Sequence, residues 1–305
     1  MQDFKKILAL IDFSHVSKHT AEEAALIASK FNSELHLLHV SPGSAPPYLS
    51  LPGTYFFRTR ETDEELYRLN KYKLEKIKIE LENRYSLSVR THEEKGSLME
   101  IVKNCIHRLQ INLVVVGARK KTGLKEIIFG SVANSIIRLV KTEVLCINPE
   151  SNCKKLKKIV IPVGEFIPKR KIRLAYELAR KFAANIHLIT LSKNVNSNGE
   201  NYNALMSTYR YIRDLTNIPI ECKTVAGNNL AEATLRYVEK IGADLILINP
   251  GMESKLSGWV GEIVNHSTIP VLSVHPIVNY TGQFINQYGI KKFSNENEMD
   301  RIKNI

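Results

Sequence analysis

Apolar positions along the chain alternate between two periods. Lys5-Lys6-Ile7-Leu8-Ala9-Leu10-Ile11 is a short aliphatic run and predicts a buried strand. Ala21, Ala24, Ala25, Ala28 and Phe31 then recur at helical spacing and mark the apolar face of a helix. Leu35 to Val40 predicts a second strand, and the Pro-, Gly- and Ser-rich stretch Pro42 to Pro52 a loop. Glu61 to Asn83 predicts a long charged helix, with Leu66, Leu69, Leu74, Ile77 and Leu81 as its apolar positions. Leu87 to Thr91 predicts a short strand, Leu98 to Leu109 a helix and Leu113 to Val116 a strand. Ser131 to Val140 predicts a helix and Val144 to Ile147 a last strand. Strands alternating with helices predict right-handed βαβ crossovers and a parallel sheet covered on both faces.

The pattern is then written a second time. Lys157-Lys158-Ile159-Val160-Ile161-Pro162-Val163 restates Lys5 to Ile11. Ala175, Leu178, Ala179 and Phe182 restate the first amphipathic helix, and Ile186 to Leu191 restates Leu35 to Val40. Gly227-Asn228-Asn229-Leu230 matches Gly96-Ser97-Leu98, Asp244 to Ile248 matches Asn112 to Val116, and Pro270 to Val274 matches Glu143 to Ile147. Two copies of one α/β unit follow. The expected division is a first domain over 1–149, a linker over 150–156, a second domain over 157–276 and a polar tail over 277–305.

The length of 305 residues agrees with two domains. No apolar run approaches the roughly 20 residues that span a bilayer, so no membrane partner is expected. Cys105, Cys146, Cys153 and Cys222 show no metal-type spacing. Cys105 and Cys146 sit in apolar stretches and read as buried free thiols, which makes the cytoplasm the expected location. The formal charge of +12 is spread along the chain, without an aromatic-interleaved basic platform, so no specific nucleic-acid partner is expected.

Chemistry concentrates after the fourth predicted strand, at Gly117-Ala118-Arg119-Lys120-Lys121-Thr122-Gly123, closing on Gly130-Ser131. In an open parallel sheet ligands sit beyond the carboxyl ends of the strands, where Asp12, Val40 and Gly117 would all lie. Main-chain N–H groups at Gly130, Ser131 and Val132 would open a helix, and a helix N-terminus attracts anions. The bland reading stands beside this one: Ser131 as a simple N-cap, Asp12 as a cap of the first helix.

With the doubled strand–helix order, the acid after the first strand and the spaced Gly…Gly-Ser loop, the chain resembles tandem members of the universal stress protein family. The resemblance covers about nine-tenths of the chain and implies two tandem open, five-stranded parallel-sheet α/β domains of the adenine nucleotide alpha hydrolase-like, universal stress protein type. It implies a stress-response binding or regulatory protein. In nucleotide-binding members the acid and the main chain after the second strand hold the adenosine, and the glycine loop with its Ser/Thr holds the phosphates. Carried over, Asp12, Val40, Gly117, Lys120, Gly130, Ser131 and Val132 are the cofactor-binding positions, for ATP with Mg2+. The departure is Lys120, which stands where the motif has its second glycine. Lys120 adds a cation near the phosphates, but its Cβ opposes the close main-chain approach that glycine permits. The resemblance also implies pairing along the last strands, within one chain as a pseudo-dimer or between chains as a homodimer. It allows slow ATP hydrolysis at most; the residues place no general base, so no enzyme is expected.

The second copy departs further. Gly164 occupies the place of Asp12, Asn249 that of Gly117, and the closing pair is Gly261-Glu262, one residue early. Glu262 at a helix N-terminus suits the dipole and repels phosphate, so no nucleotide is expected there. Three rivals compete with the nucleotide reading. The first is an interaction protein with both sites vestigial. The second is an ATP-dependent enzyme of the wider hydrolase class, which would need a Ser-Gly-Gly-type motif that Asp12 to Ser17 does not supply. The third is a binder of a hydrophobic ligand at Pro42 to Phe57, with Tyr48, Tyr55, Phe56 and Phe57. His15 and His19 share a helix spacing without a third ligand, His36 and His39 fall on opposite faces of a strand, and His92-Glu93-Glu94 is expected as a polar loop.

Overall fold

The first aliphatic run is β1 (Lys6–Leu10), and its Ile7, Leu8 and Ala9 are fully buried. The computed structural model describes residues 4–42, 60–120, 127–128, 131–164, 169–192, 200–227, 229–250 and 259–275. Helix α1 (His15–Phe31) starts where the Ser14 side chain accepts the Ser17 N–H. It ends where Asn32 turns left-handed, with its N–H on the last free carbonyls. The alanine face found in the sequence is the buried one, with Ala21, Ala24, Ala25 and Ala28 at 0% exposure. The small side chains let α1 lie close on the sheet.

Then come β2 (Glu34–Ser41), α2 (Arg60–Tyr85), β3 (Val89–Lys95), α3 (Leu98–Leu109) and β4 (Leu113–Gly117). A two-residue ladder, β5 (Arg119–Lys120) against β6 (Ile127–Ile128), precedes α4 (Ser131–Leu139) and β7 (Glu143–Ile147). The strand order is β3–β2–β1–β4–β7, and every pair is parallel. The chain therefore builds outward from β1 to β3, then crosses back past β1 to β4. This reversal makes a switch point between β1 and β4, with the crevice at their carboxyl ends.

The third strand differs from its expected place. Leu87 lies ahead of it, and His92-Glu93-Glu94, expected as a loop, lies inside it. The polar sequence is that of an edge strand whose side chains are tied to neighbouring helices. Glu75 accepts the Thr91 hydroxyl, Glu93 accepts the Ser41 hydroxyl and an Asn70 amide N–H, and Glu94 accepts from Arg108.

The second copy runs β8 (Lys158–Pro162), α5 (Lys169–Phe182), β9 (Asn185–Ser192), α6 (Glu200–Leu215), β10 (Ile220–Ala226), α7 (Leu230–Ile241), β11 (Leu245–Ile248), α8 (Trp259–His266) and β12 (Val271–Ser273). Strands β10, β9, β8 and β11 neighbour one another in that order, as β3, β2, β1 and β4 do. Helix α6 and strand β10 were not marked by the apolar pattern. Most of β10 faces water, so it carries little apolar signal. The chain divides into two compact units after Lys155, with Val264–Leu272 belonging to the first. The polar stretch before that division is fastened to the first unit: the Cys153 N–H donates to Glu23 Oε2 at 2.7 Å. The aromatic segment 43–59 and the tail 277–305 lie outside the described residues.

Candidate functional site

The main chain of β2 sets the geometry of the crevice. Its odd-numbered groups face β3: Leu35 N–H donates to Ser88 O, and Ser41 O accepts from Gly96 N–H. Its even-numbered groups face β1: Glu34 N–H donates to Lys5 O, and Leu38 O accepts from Ile11 N–H. Val40 is the next even residue. Its N–H and C=O therefore face the β1 side at a level where β1 has ended at Leu10. Among the described residues no main-chain bond joins Val40 to Ile11. A donor and an acceptor are thus aimed side by side from one residue into the switch-point crevice.

The chain leaves β1 abruptly. Phe13 is left-handed, with φ at 62°, which is costly for a bulky side chain. Asp12 just before it is exposed, and its Oδ1 accepts both the N–H and the hydroxyl of Ser14. Asp12 thus steadies the turn into α1, while Ser14 is the residue that caps the helix. On the odd face of β2, His39 Nδ1 lies 2.7 Å from Ile11 O. A carbonyl only accepts, so Nδ1 carries the proton. The Phe13 ring packs on His39 with centroids 4.4 Å apart, and Lys73 Nζ lies 5.2 Å from the Phe13 centroid.

Gly117 ends β4 in register with Ile147. A Cβ there would stand 2.5 Å from Thr20 Oγ1 and 3.0 Å from Val16 Cγ1 of α1. Packing alone therefore accounts for this glycine. Lys120 pairs with Ile127 in the β5–β6 ladder, so the position where the motif has a glycine is built into a hairpin arm. Gly130 lies outside the described residues, Ser131 is the first residue of α4, and Val132 is 41% exposed. Because β4 and β7 are parallel, α4 runs back from the carboxyl edge, so its N-terminus stands at the same edge as Asp12, Val40 and Gly117.

The second copy is furnished differently. Lys171 on α5 is 1% exposed, and its Nζ donates to Pro162 O at 2.8 Å. Buried Asn249 donates from Nδ2 to Val274 O. Gly261-Glu262, expected at the start of a helix, lies inside the first turn of α8, which begins at Trp259. Glu262 accepts from Asn229 Nδ2 with both oxygens, at 3.2 and 3.0 Å.

A histidine pair outside the crevice escaped the sequence reading. His36 and His92 stack across β2 and β3, on the face turned to α3. The two-residue period does put His36 and His39 on opposite faces, as expected, but cannot reveal a partner on another strand. Burial drives the His36 pKa from 6.5 to about 4, although Glu34 pulls it upward. Burial also lowers that of His92, helped by Arg108. Cys105, Cys146 and Cys153 are buried and form no disulfide, and burial pushes the Cys146 thiol up to about 12.

The order β3–β2–β1–β4–β7, with its crevice at the β1/β4 switch, defines a doubly wound α/β protein. The chain belongs to the universal stress protein family: that family's model matches residues 3–148. Universal stress protein YxiE of Bacillus subtilis is 30% identical over 150 residues, covering 47% of this chain and 99% of the relative. Universal stress protein MJ0531 of Methanocaldococcus jannaschii is 28% identical over 146 residues, covering 47% of this chain and 82% of the relative. A universal stress protein structure from Archaeoglobus fulgidus superposes with a TM-score of 0.71, at 16% identity, over 90% of this chain and 99% of that one, which speaks for the fold. No described helix is long and apolar enough to cross a membrane.

Proposed function

We propose that the first unit is an adenine-nucleotide binding module, taking ATP with Mg2+, and that the second copy takes none. The observation that carries the proposal is the main-chain edge of Val40, whose N–H and C=O face the vacated end of β1. The Watson–Crick edge of adenine offers an amino donor and a ring-nitrogen acceptor side by side, which suits that pair. Asp12 lies on the same edge for the ribose, and the α4 N-terminus at Ser131 and Val132 for phosphate. The residues fit the nucleotide best on the base side. On the phosphate side Lys120 offers charge rather than a glycine's close approach. Mg2+ would supply charge neutralisation for the phosphates. No general base is assigned, so the role is binding and regulation rather than turnover.

In the second copy Gly164 stands where Asp12 would be, and Glu262 brings a negative charge to the first turn of α8. Both weigh against a phosphate there. A second reading, an interaction protein with both sites vestigial, draws on the exposed Leu69, Tyr72 and Ile79 of α2.

Calorimetric titration of Mg-ATP into the full chain and into an Asp12→Ala, Ser131→Ala double variant decides between them. Saturable binding at one site per chain, lost in the variant, is the expected result. Absence of heat and of any melting shift at millimolar ATP would favour the interaction reading.

A further inference from the structure

We propose that His39 is a positioning residue that keeps the base-reading edge of Val40 open; this rests on the nucleotide reading of the first unit. The parallel ladder makes the argument. Ile11 N–H donates to Leu38 O, so the next bond in sequence would run from Val40 N–H to Ile11 O. That bond is not formed. Ile11 O is taken instead by His39 Nδ1, at 2.7 Å. The imidazole thus ends the β1–β2 ladder one step early and leaves the Val40 N–H for a ligand. Phe13 completes the device. Its left-handed turn carries the chain away from β2 directly after Asp12, and its ring rests on the His39 ring.

The second copy repeats the capture with different chemistry. Leu8 pairs with His36 and Val160 with His187, so His39 and Thr190 occupy one position. Val163 N–H donates to Ile189 O, as Ile11 N–H does to Leu38 O. The Thr190 hydroxyl then donates to Val163 O at 2.8 Å, as His39 does to Ile11 O. An imidazole and a hydroxyl holding the same carbonyl in two diverged copies mark the capture as a built feature. In the copy proposed to bind nucleotide, it serves Val40.

The test compares His39→Leu, which cannot donate, with His39→Thr, which copies Thr190, in the full chain. Mg-ATP affinity by calorimetry and hydrogen exchange at the Val40 amide of the free protein are the readouts. His39→Leu should weaken ATP binding about tenfold, because the ligand must first break a Val40–Ile11 bond worth on the order of one hydrogen bond. The Val40 amide should exchange more slowly in that variant. His39→Thr should bind within about twofold of wild type. Thr190→Val, which removes the matching bond from the second copy, should leave ATP affinity unchanged.

If wild type binds and His39→Leu binds equally well, the role of His39 is overturned while the nucleotide site stands. An equal loss in Thr190→Val would overturn it too, by showing a general effect of stability. If wild type binds no ATP, the nucleotide reading fails. The Val40 amide then still decides the ladder argument, and unchanged exchange in His39→Leu sinks it. Should His39→Leu not fold, the same comparison is made with His39→Val.

Discussion

His36 Nδ1 and His92 Nε2 lie 2.9 Å apart, with ring centroids 5.2 Å apart and planes 15° from parallel. Only one proton fits between two nitrogens at that distance. A second proton would set donor against donor, in a place where His36 is 1% exposed and Lys6 and Arg90 already contribute positive charge. The second copy buries His187 at the same position, against Tyr237, and burial lowers its pKa as well. In each copy burial thus favours the neutral imidazole, against the pull of Glu34 on His36 and of Glu221 on His187.

Acid should therefore loosen the protein. Folding holds these histidines neutral, with His36 lowered from 6.5 to about 4, while the unfolded chain protonates them near the ordinary value. The stabilisation from His36 is full above about pH 6.5 and is lost as the pH falls from there to about 4, and that from His92 and His187 is lost in the same direction. For His36 the loss amounts to at most about 3 kcal/mol. Melting temperatures near pH 7 and near pH 4.5 should differ less in His36→Gln than in wild type. An equal fall in the variant would assign the acid sensitivity to other groups.

Gly117→Ala should destabilise the first unit by about 1–3 kcal/mol, because its Cβ would overlap Thr20 Oγ1 in a filled core. The residue next to the clash gives the check. Thr20→Ala removes the hydroxyl, so the double variant should unfold at higher denaturant concentration than the sum of the two single changes predicts. Additive losses would mean that Val16 or the strand end, rather than the Thr20 hydroxyl, rejects the methyl group.

Glu23 is 7% exposed and takes the Cys153 N–H. Glu23→Ala leaves that buried N–H unpaired and should cost about 1–3 kcal/mol. Glu23→Gln keeps an acceptor oxygen and should cost less. Hydrogen exchange at the Cys153 amide should speed up in the alanine variant alone. Unchanged exchange would show that the segment is held by other contacts.

What the sequence discloses depends on range. The aliphatic runs of β1, β2 and β4 and the alanine face of α1 are local signals, and each lands in the core. Asp12, Val40, Gly117 and Ser131 come to one edge because the strand order puts them there. The role of Gly117 is not local: it follows from Thr20, on a helix that crosses another strand. The same holds for the Ile11–His39 and Thr190–Val163 bonds, which join neighbouring strands. β3 was misplaced because an edge strand tied down by Asn70, Glu75 and Arg108 looks like a loop in an apolar pattern. The β5–β6 ladder has arms too short for any periodicity.

The contact between Asn229 and Glu262 makes a prediction whose sign runs against ordinary helix chemistry. Asn229 caps α7, its Oδ1 accepting the N–H groups of Ala231 and Glu232. Its Nδ2 donates to both oxygens of Glu262. Aspartate caps helices as well as asparagine and suits the N-terminal dipole better. Here Asn229→Asp removes the donor and sets a second carboxylate about 3 Å from Glu262, where like charges repel. Asn229→Asp should therefore be destabilising near neutral pH, by an amount similar to the roughly 1 kcal/mol expected for Asn229→Ala. Adding Glu262→Gln supplies a donor to the new aspartate and should restore most of the loss. Denaturant unfolding of the three variants tests this: an Asn229→Asp protein as stable as wild type would show that Glu262 turns away to solvent when its partner changes.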